Sequence, residues 1–302
     1  VPASGWDAGT SGTGLGSLPG AMEAAAPDRS ADAPLIELGV RMPLRSYLRE
    51  VWERRQFSYA LAENDLRAEH MNSVLGQLWH LLNPAMMIAV YFFIFGVVLD
   101  ARRGVDNYVT FLVVGVLVFR WSQNTIIGCV QTIGKNLGLI RSIQFPRALV
   151  PIAEVLQELL ALVPGLALIL VVGALDGVEP TWRIAFLPVV LAAGVAFNLG
   201  CGLAGARAGA FVTDLQQVLP HFFRIMLYIS GVLFSVQATI ENQLVRNLFA
   251  LNPWYCLVAA ARWSLLGTAA GERVFLGLTV WAVVALVVGA AYFRRGEHRL
   301  GA

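Results

Sequence analysis

Six long apolar stretches dominate the chain: Leu82–Leu99, Val109–Val130, Val150–Leu175, Ile184–Ala206, Phe222–Val236 and Val274–Phe293. A helix needs about 20 apolar residues to cross the hydrocarbon of a bilayer, and five of the six reach roughly that length. Phe222–Val236 is the short one. Lipid offers backbone N–H and C=O groups no partner, so each run is expected to be helical. The expected fold is all-α, a polytopic membrane protein with six transmembrane helices. Composition agrees. Of 302 residues, 57% are hydrophobic and only 14% charged, where an ordinary soluble domain carries roughly 25% charged residues. The net charge of +2 gives no electrostatic footprint for nucleic acid.

Catalytic and metal signatures are missing from the sequence. Cys129, Cys201 and Cys256 lie far apart and match no metal spacing, so they read as small residues of apolar helices. His70, His80, His221 and His298 are equally scattered, and no metal site is expected. A nucleotide-binding loop is absent too: Gly134-Lys135 is followed by Asn136, and no glycine stands five residues before Gly134.

Residues 1–34 are rich in Gly, Ser, Ala, Asp and Pro and cannot bury enough apolar surface to fold alone. They are expected to form a disordered cytoplasmic tail. The chain opens on Val1 with no Met, which leaves open a processed or non-native leading stretch. Residues 35–81 should hold interface and gate helices, 82–293 the six spans, and 294–302 a second short tail.

Six spans put both termini on one side, and positive charge selects the side. With the N-terminus inside, the inner segments collect Arg29, Arg41, Arg45, Arg49, Arg54, Arg55, Arg67, Lys135, Arg141, Arg147, Arg207, Arg294, Arg295 and Arg299. The outer segments hold Arg102, Arg103, Arg183, Arg246, Arg262 and Arg273. Both termini are therefore expected in the cytoplasm, with the protein in the plasma membrane.

Leu44, Tyr47, Leu48, Val51 and Trp52 recur at helical spacing, with Arg45, Arg49, Glu50, Glu53 and Arg54 on the other face. This predicts an amphipathic helix lying in the cytoplasmic membrane interface, or else packed on a partner subunit. A second helical stretch follows from about Ala62 to Leu82, and Asn83-Pro84 predicts a bend at the start of the first span. After the second span, Gly134 to Arg147 reads as a short helix and then an extended Phe-Pro turn. Apolar Leu137, Ile140 and Phe145 in that loop suggest a protein contact, the alternative being a loop folded onto its own bundle. Between spans five and six, Gln237–Arg273 is apolar and broken by Asn252-Pro253. Two short helices re-entering the outer leaflet would explain it, as against two further crossings.

These segments resemble a family. Asn64-Asp65-Leu66-Arg67 with Ser73-Val74-Leu75-Gly76-Gln77-Leu78-Trp79 and Asn83-Pro84 looks like the start of ABC-2-type transporter permeases, in the branch that exports polysaccharides and teichoic acids. Asn136-Leu137, Ile140-Arg141, Phe145-Pro146-Arg147 and Pro151 are similar to that branch's coupling segment, and Asn252-Pro253-Trp254 to its outer re-entrant motif. The resemblance covers about residues 40–295. Two departures stand out: His70-Met71-Asn72 where the family often has Arg-Tyr, and Thr213-Asp214 where it has an Arg-Asp pair.

The resemblance implies a half-transporter. Two copies of this chain would form the pathway, and two copies of a separate ABC ATPase would supply the energy, with ATP and Mg on that partner and no cofactor here. The implied cargo is a polyprenyl-pyrophosphate glycan moved outward, and the Arg-dominated, Ala-rich composition points to an actinobacterial source and a galactan precursor. Asn136, Leu137, Ile140, Arg141, Phe145, Pro146 and Arg147 would couple to the ATPase. Tyr47, Trp52, Arg54, Arg67, Ser73, Gly76 and Trp79 would form the gate and interface helices among membrane lipids. Phe111, Phe119, Arg120, Trp121, Gln123 and Asn124 of span two would line a glycan channel, unless its rings face lipid. Arg120 sits mid-span, where a charge costs at least ~2.5–3.5 kcal/mol. It should face the pathway or pair with Glu154 or Glu158. Those two acids, one turn apart, would line the channel mouth or relay a proton. An efflux permease for drugs or small lipids would share this topology. A membrane enzyme would need a polar constellation that Glu241, Arg246 and Glu272 do not provide.

Overall fold

The computed structural model describes residues 43–68, 79–99, 105–179, 181–297 and Leu300. The N-terminal tail, Ser73, Gly76, His70-Met71-Asn72 and Arg102-Arg103 lie outside the described residues. Within the described residues every regular element is a helix. In order they are α1 (Leu44–Glu53), α2 (Arg55–Ala68), α3 (Trp79–Tyr91), α4 (Tyr108–Lys135), α5 (Leu137–Ser142), α6 (Leu149–Leu175), α7 (Leu187–Phe211), α8 (Leu215–Ile229), α9 (Val236–Thr239), α10 (Gln243–Phe249), α11 (Pro253–Leu266) and α12 (Glu272–Gly296). A wider π-helical stretch, Phe92–Val98, continues α3, and a 3-10 turn, Trp182–Phe186, leads into α7.

Four helical stretches are long and apolar enough to cross a bilayer: α4, α6, Trp182–Phe211 and α12. Leu82–Val98 is apolar but shorter. The chain stays helical through Asn83-Pro84, with Pro84 inside α3 rather than ahead of it. A proline at this place has no N–H to give the carbonyl four residues earlier, that of His80, so one helical bond of α3 is forfeited.

The apolar run 222–236 does not form one continuous helix. Its helix begins earlier, at Leu215, and stops at Ile229. Gly231 then adopts a left-handed φ of 60°, where a side chain would be strained. Val232, Leu233 and Val236 fold back into the core, each under 4% exposed. These residues are apolar because protein surrounds them, a cause that hydropathy alone cannot separate from lipid.

α4 is the central helix, with every residue from Thr110 to Phe119 buried. α6, α7 and α11 pack on it, and α12 packs on α7. Lipid tails are as apolar as side chains, so close backbone approach has to hold such helices together. Gly200 and Gly289 supply it at the α7–α12 crossing: a Cβ on Gly200 would strike the Ala285 backbone, and one on Gly289 the Gly200 carbonyl. Gly209 meets the Val130 backbone of α4 in the same way.

The start of α4 is tied to the end of α6. The Asp176 carboxylate accepts from the Thr110 amide (3.1 Å) and hydroxyl (2.7 Å), placing negative charge where a helix N-terminus favours it. Asn252-Pro253 is a helix start. The Asn252 side chain accepts from the Trp254 and Tyr255 amides, Pro253 takes the first helical position, and Gly267 ends α11 at φ 68°. Where two helices are expected after the fifth apolar run, the chain forms three, α9, α10 and α11. α11 lies largely buried, packed against α4, α12 and α7.

Candidate transport site

Midway along α4, a cavity of about 230 Å³ opens between α3, α4 and α6. Its lining brings together Trp79, Asn83, Arg120, Trp121, Asn124 and Glu158. Arg120 also reaches the Met87 sulfur of α3. The cavity therefore combines a cation, a carboxyl, two amides and two indoles, the mixture that can meet sugar hydroxyls and ring faces. Trp79, read from the sequence with the gate, shares it.

The other lining candidates lie elsewhere. Phe119 is fully buried and packs edge-on against Phe223 at 6.2 Å. Phe111 is buried beneath the Arg262 guanidinium, 3.3 Å from its ring centre. Phe119 belongs to the packed interior of the protomer, whereas Phe111 lines, with Asp106, Gln237 and Arg262, a second cavity of about 500 Å³ apart from the first. Glu154 packs against α4 where Gly128 leaves room, since a Cβ there would collide with its carboxyl. Gln123 is half-buried on α4 outside the cavity lining.

At the basic end of the bundle, Tyr47 and Arg54 of the gate candidates meet the coupling segment. α5 forms as the loop pattern predicts, and Ile143 then turns extended, with φ −132° and ψ 138°. Ile140 faces inward and is buried with Ile133, Val150 and Phe293. Phe145 packs against Phe57 of α2, the rings tilted by 45° with centres 5.0 Å apart, and Leu137 is half-buried. The apolar side of this segment thus folds onto its own bundle, while Gly138, Arg141, Ser142, Ile143 and Gln144 are exposed. Asn136 bonds back to the Thr132 carbonyl, and Pro146 is buried at the turn into α6.

α1 and α2 clasp this segment. Arg54 donates to the Gln144 carbonyl at 2.8 Å, and buried Ser58 to the Leu149 carbonyl at 2.9 Å. Arg67 pairs with Glu63 one turn before it on α2. Burial pushes the Asp65 carboxyl up from its ordinary range, opposed by Lys135. On α1, Leu48 and Trp52 remain exposed at 56% and 68%, and Arg55 lies over the Trp52 ring.

Glu297, which follows α12, also reaches the coupling segment. Its Oε1 accepts from the Tyr47 hydroxyl and from the Arg147 amide, both at 2.8 Å, and its carbonyl accepts from the Arg147 guanidinium. Arg294 lies over the Tyr47 ring. Burial holds the Glu297 carboxyl above its ordinary range, while Tyr47, Arg147 and Arg294 pull it back. Burial, then the neighbouring carboxylate, push the Tyr47 hydroxyl up.

Toward the opposite end, Trp254 donates to Ser122 at 3.0 Å, and Ser122 donates to Asn198 at 2.6 Å. This chain joins α11, α4 and α7. Trp254 also sits edge-on to Phe197 and Phe223. Arg262, buried at 5% exposure, donates to the carbonyls of Phe111 (3.1 Å), Gly231 (2.8 Å) and Val232 (2.5 Å). Sequence reading assigns Arg262 to an outer loop and Glu297 to a tail. Its only available signals are an Arg within the apolar run of α11 and a lone acid after Arg294-Arg295.

No protein-family model matches the chain. Among curated proteins, the O-antigen export system permease protein RfbA of Myxococcus xanthus is 30% identical over 214 residues, 70% of this chain and 81% of that protein. The chain belongs to the ABC-2-type polysaccharide exporter permeases. A Klebsiella pneumoniae RfbA is 23% identical over 79% of this chain and 91% of its own length. The polysialic acid transport protein KpsM of Escherichia coli is 25% identical over 80% of this chain and 93% of its own length. In this ABC-2 permease, Thr213-Asp214 is exposed between α7 and α8.

Proposed function

We propose that this permease is the membrane half of an ATP-driven exporter that moves a polyprenyl-pyrophosphate glycan from the cytoplasmic to the outer face of the plasma membrane. A galactan precursor is the specific candidate. Two copies of the chain form the pathway, and two copies of a separate ABC ATPase bind ATP and Mg. Each copy crosses the membrane six times, counting α3 with its π-helical extension and α8 beside the four long spans. α10 and α11 re-enter from the outer side. Both termini face the cytoplasm, which the Arg excess at the basic end supports.

The observation that carries this reading is the mid-membrane cavity with Arg120, Glu158, Asn124 and two tryptophans. Charged groups at that depth are costly and typically mark a substrate path. A small apolar drug would not need them, whereas a pyrophosphate and its sugars do. The exposed Arg141–Gln144 stretch is the surface that meets the ATPase. α1, with Leu48 and Trp52 outward, lies among lipid headgroups.

Depletion of the protein in its host, followed by mass spectrometry of polyprenyl-linked lipids, tests the reading. A lipid-pyrophosphate glycan should accumulate inside, and its sugars would identify the cargo. An unchanged pool of such lipids would refute the assignment and point to small-molecule efflux.

A further inference from the structure

We propose that Glu297 is a positioning residue for energy coupling: one carboxylate oxygen ties the interface helix α1 to the segment linking α5 to α6. This rests on the reading of Arg141–Gln144 as the ATPase contact. Three parts of the chain that are remote in sequence meet at that oxygen. The Tyr47 hydroxyl comes from α1, the Arg147 amide from the segment just after the contact, and Glu297 from the end of α12. Arg147 closes the joint a second time through the Glu297 carbonyl, and Arg294 covers the Tyr47 ring.

The geometry gives the joint a direction. A push on the exposed residues 141–144 reaches Arg147 within three peptide units. From there it passes through Glu297 to Tyr47 and so to α1, whose Trp52 is free to slide in the headgroup layer. A second contact runs alongside, from the Gln144 carbonyl to Arg54. That link holds the end of α1 but leaves its middle turn to Glu297. Hydrogen bonds to an ionised group are the stronger kind, which suits a joint that must transmit force without letting go.

The test uses the complex purified from its host through a tagged permease, with export and ATP hydrolysis measured together. Glu297→Ala should keep the ATPase bound and hydrolysing while glycan exported per ATP falls about ten-fold, the scale of one lost charge-assisted hydrogen bond. Glu297→Gln retains an oxygen that accepts from Tyr47 and Arg147, so it should restore most of that ratio. Tyr47→Phe, which removes one hydroxyl and little packing, should fall between, and Tyr47→Phe with Glu297→Ala should be no worse than Glu297→Ala alone. An unchanged ratio in both Glu297→Ala and Tyr47→Phe overturns the inference. So does a parallel loss of export and hydrolysis that Gln does not rescue, which would mark a purely structural node. Ile143→Asp, run beside them, tests the underlying reading: if it keeps the ATPase bound and export intact, the contact lies elsewhere and that reading fails instead.

Discussion

Replacing Arg262 with Met removes a fork that holds three backbone carbonyls across two elements. The carbonyl of Phe111 lies within α4 and keeps its helical partner, so it loses only a second donor. The carbonyls of Gly231 and Val232 belong to the turn after α8 and are buried, with both residues among the least exposed of the chain. Each orphaned buried carbonyl costs roughly 1–3 kcal/mol, so the two together cost about 2–6 kcal/mol. Met fills a similar volume and relieves the burial of a cation, which offsets part of this loss. A net destabilisation of about 2–4 kcal/mol follows, within the range for breaking a buried network.

On the scale of roughly 2–4 °C per kcal/mol for a folded unit of this size, the melting temperature should drop by about 5–15 °C. Tryptophan fluorescence of the detergent-solubilised protein during heating would measure it. Arg262→Lys should recover less than half of the loss, because one ammonium cannot spread over carbonyls on both sides of a planar fork. If Arg262→Met melts with the parent, the fork is not what holds the turn after α8 to α4, and the argument fails.

Gly289→Leu forces α12 away from the Gly200 backbone and should cost about 3 kcal/mol, the upper range for overpacking, read as loss of monodisperse protein after mild heating. Gly134→Ala is the matched control: no atom stands near its added Cβ, so it should stabilise by about 0.5–1 kcal/mol. Glu297 is held above its ordinary value of 4.5, so the folded state binds its proton more tightly than the unfolded chain. Stability from this group is therefore greatest below 4.5 and falls as pH rises through the elevated folded value. Melting curves of the parent against Glu297→Gln across that window should converge on the acidic side. Arg120→Gln should leave melting nearly unchanged but lower export by about ten- to hundred-fold, the weight of hydrogen bonds to one charged group.

Much of this fold is legible from hydropathy because lipid and protein interior reject the same polar groups. That is also where the reading fails. Val232, Leu233 and Val236 are as apolar as any span residue, yet they pack against protein after the turn at Gly231. Ile140 and Phe145 read as an outward contact because they sit in a basic loop, but they serve the second, smaller core at the basic end. Ile143, whose 52% exposure leaves it free to meet a partner, carries no special sequence signal. In the site, the chemistry of Arg120, Asn124 and Glu158 is visible from their position in apolar runs. Their convergence with Trp79 is not, because it depends on how α3 and α6 cross α4.

The charged residues within and beside the spans divide by what answers them. Arg262 is met on every arm by carbonyls, so it is a fixture of the fold, and changing it should change stability first. Arg120 faces a cavity that it shares with Asn83, Asn124 and Glu158 and that leaves room for a polar substrate, so changing it should change export first. Glu297 stands between these cases: it is satisfied, but by partners from helices that an export cycle would have to move. Whether a buried charge belongs to the scaffold, the path or the drive therefore follows from what answers it: backbone carbonyls, a polar cavity lining, or groups on separate helices. That ordering separates the expected phenotypes, with Arg262 changing melting, Arg120 changing export alone, and Glu297 changing the yield of export per ATP.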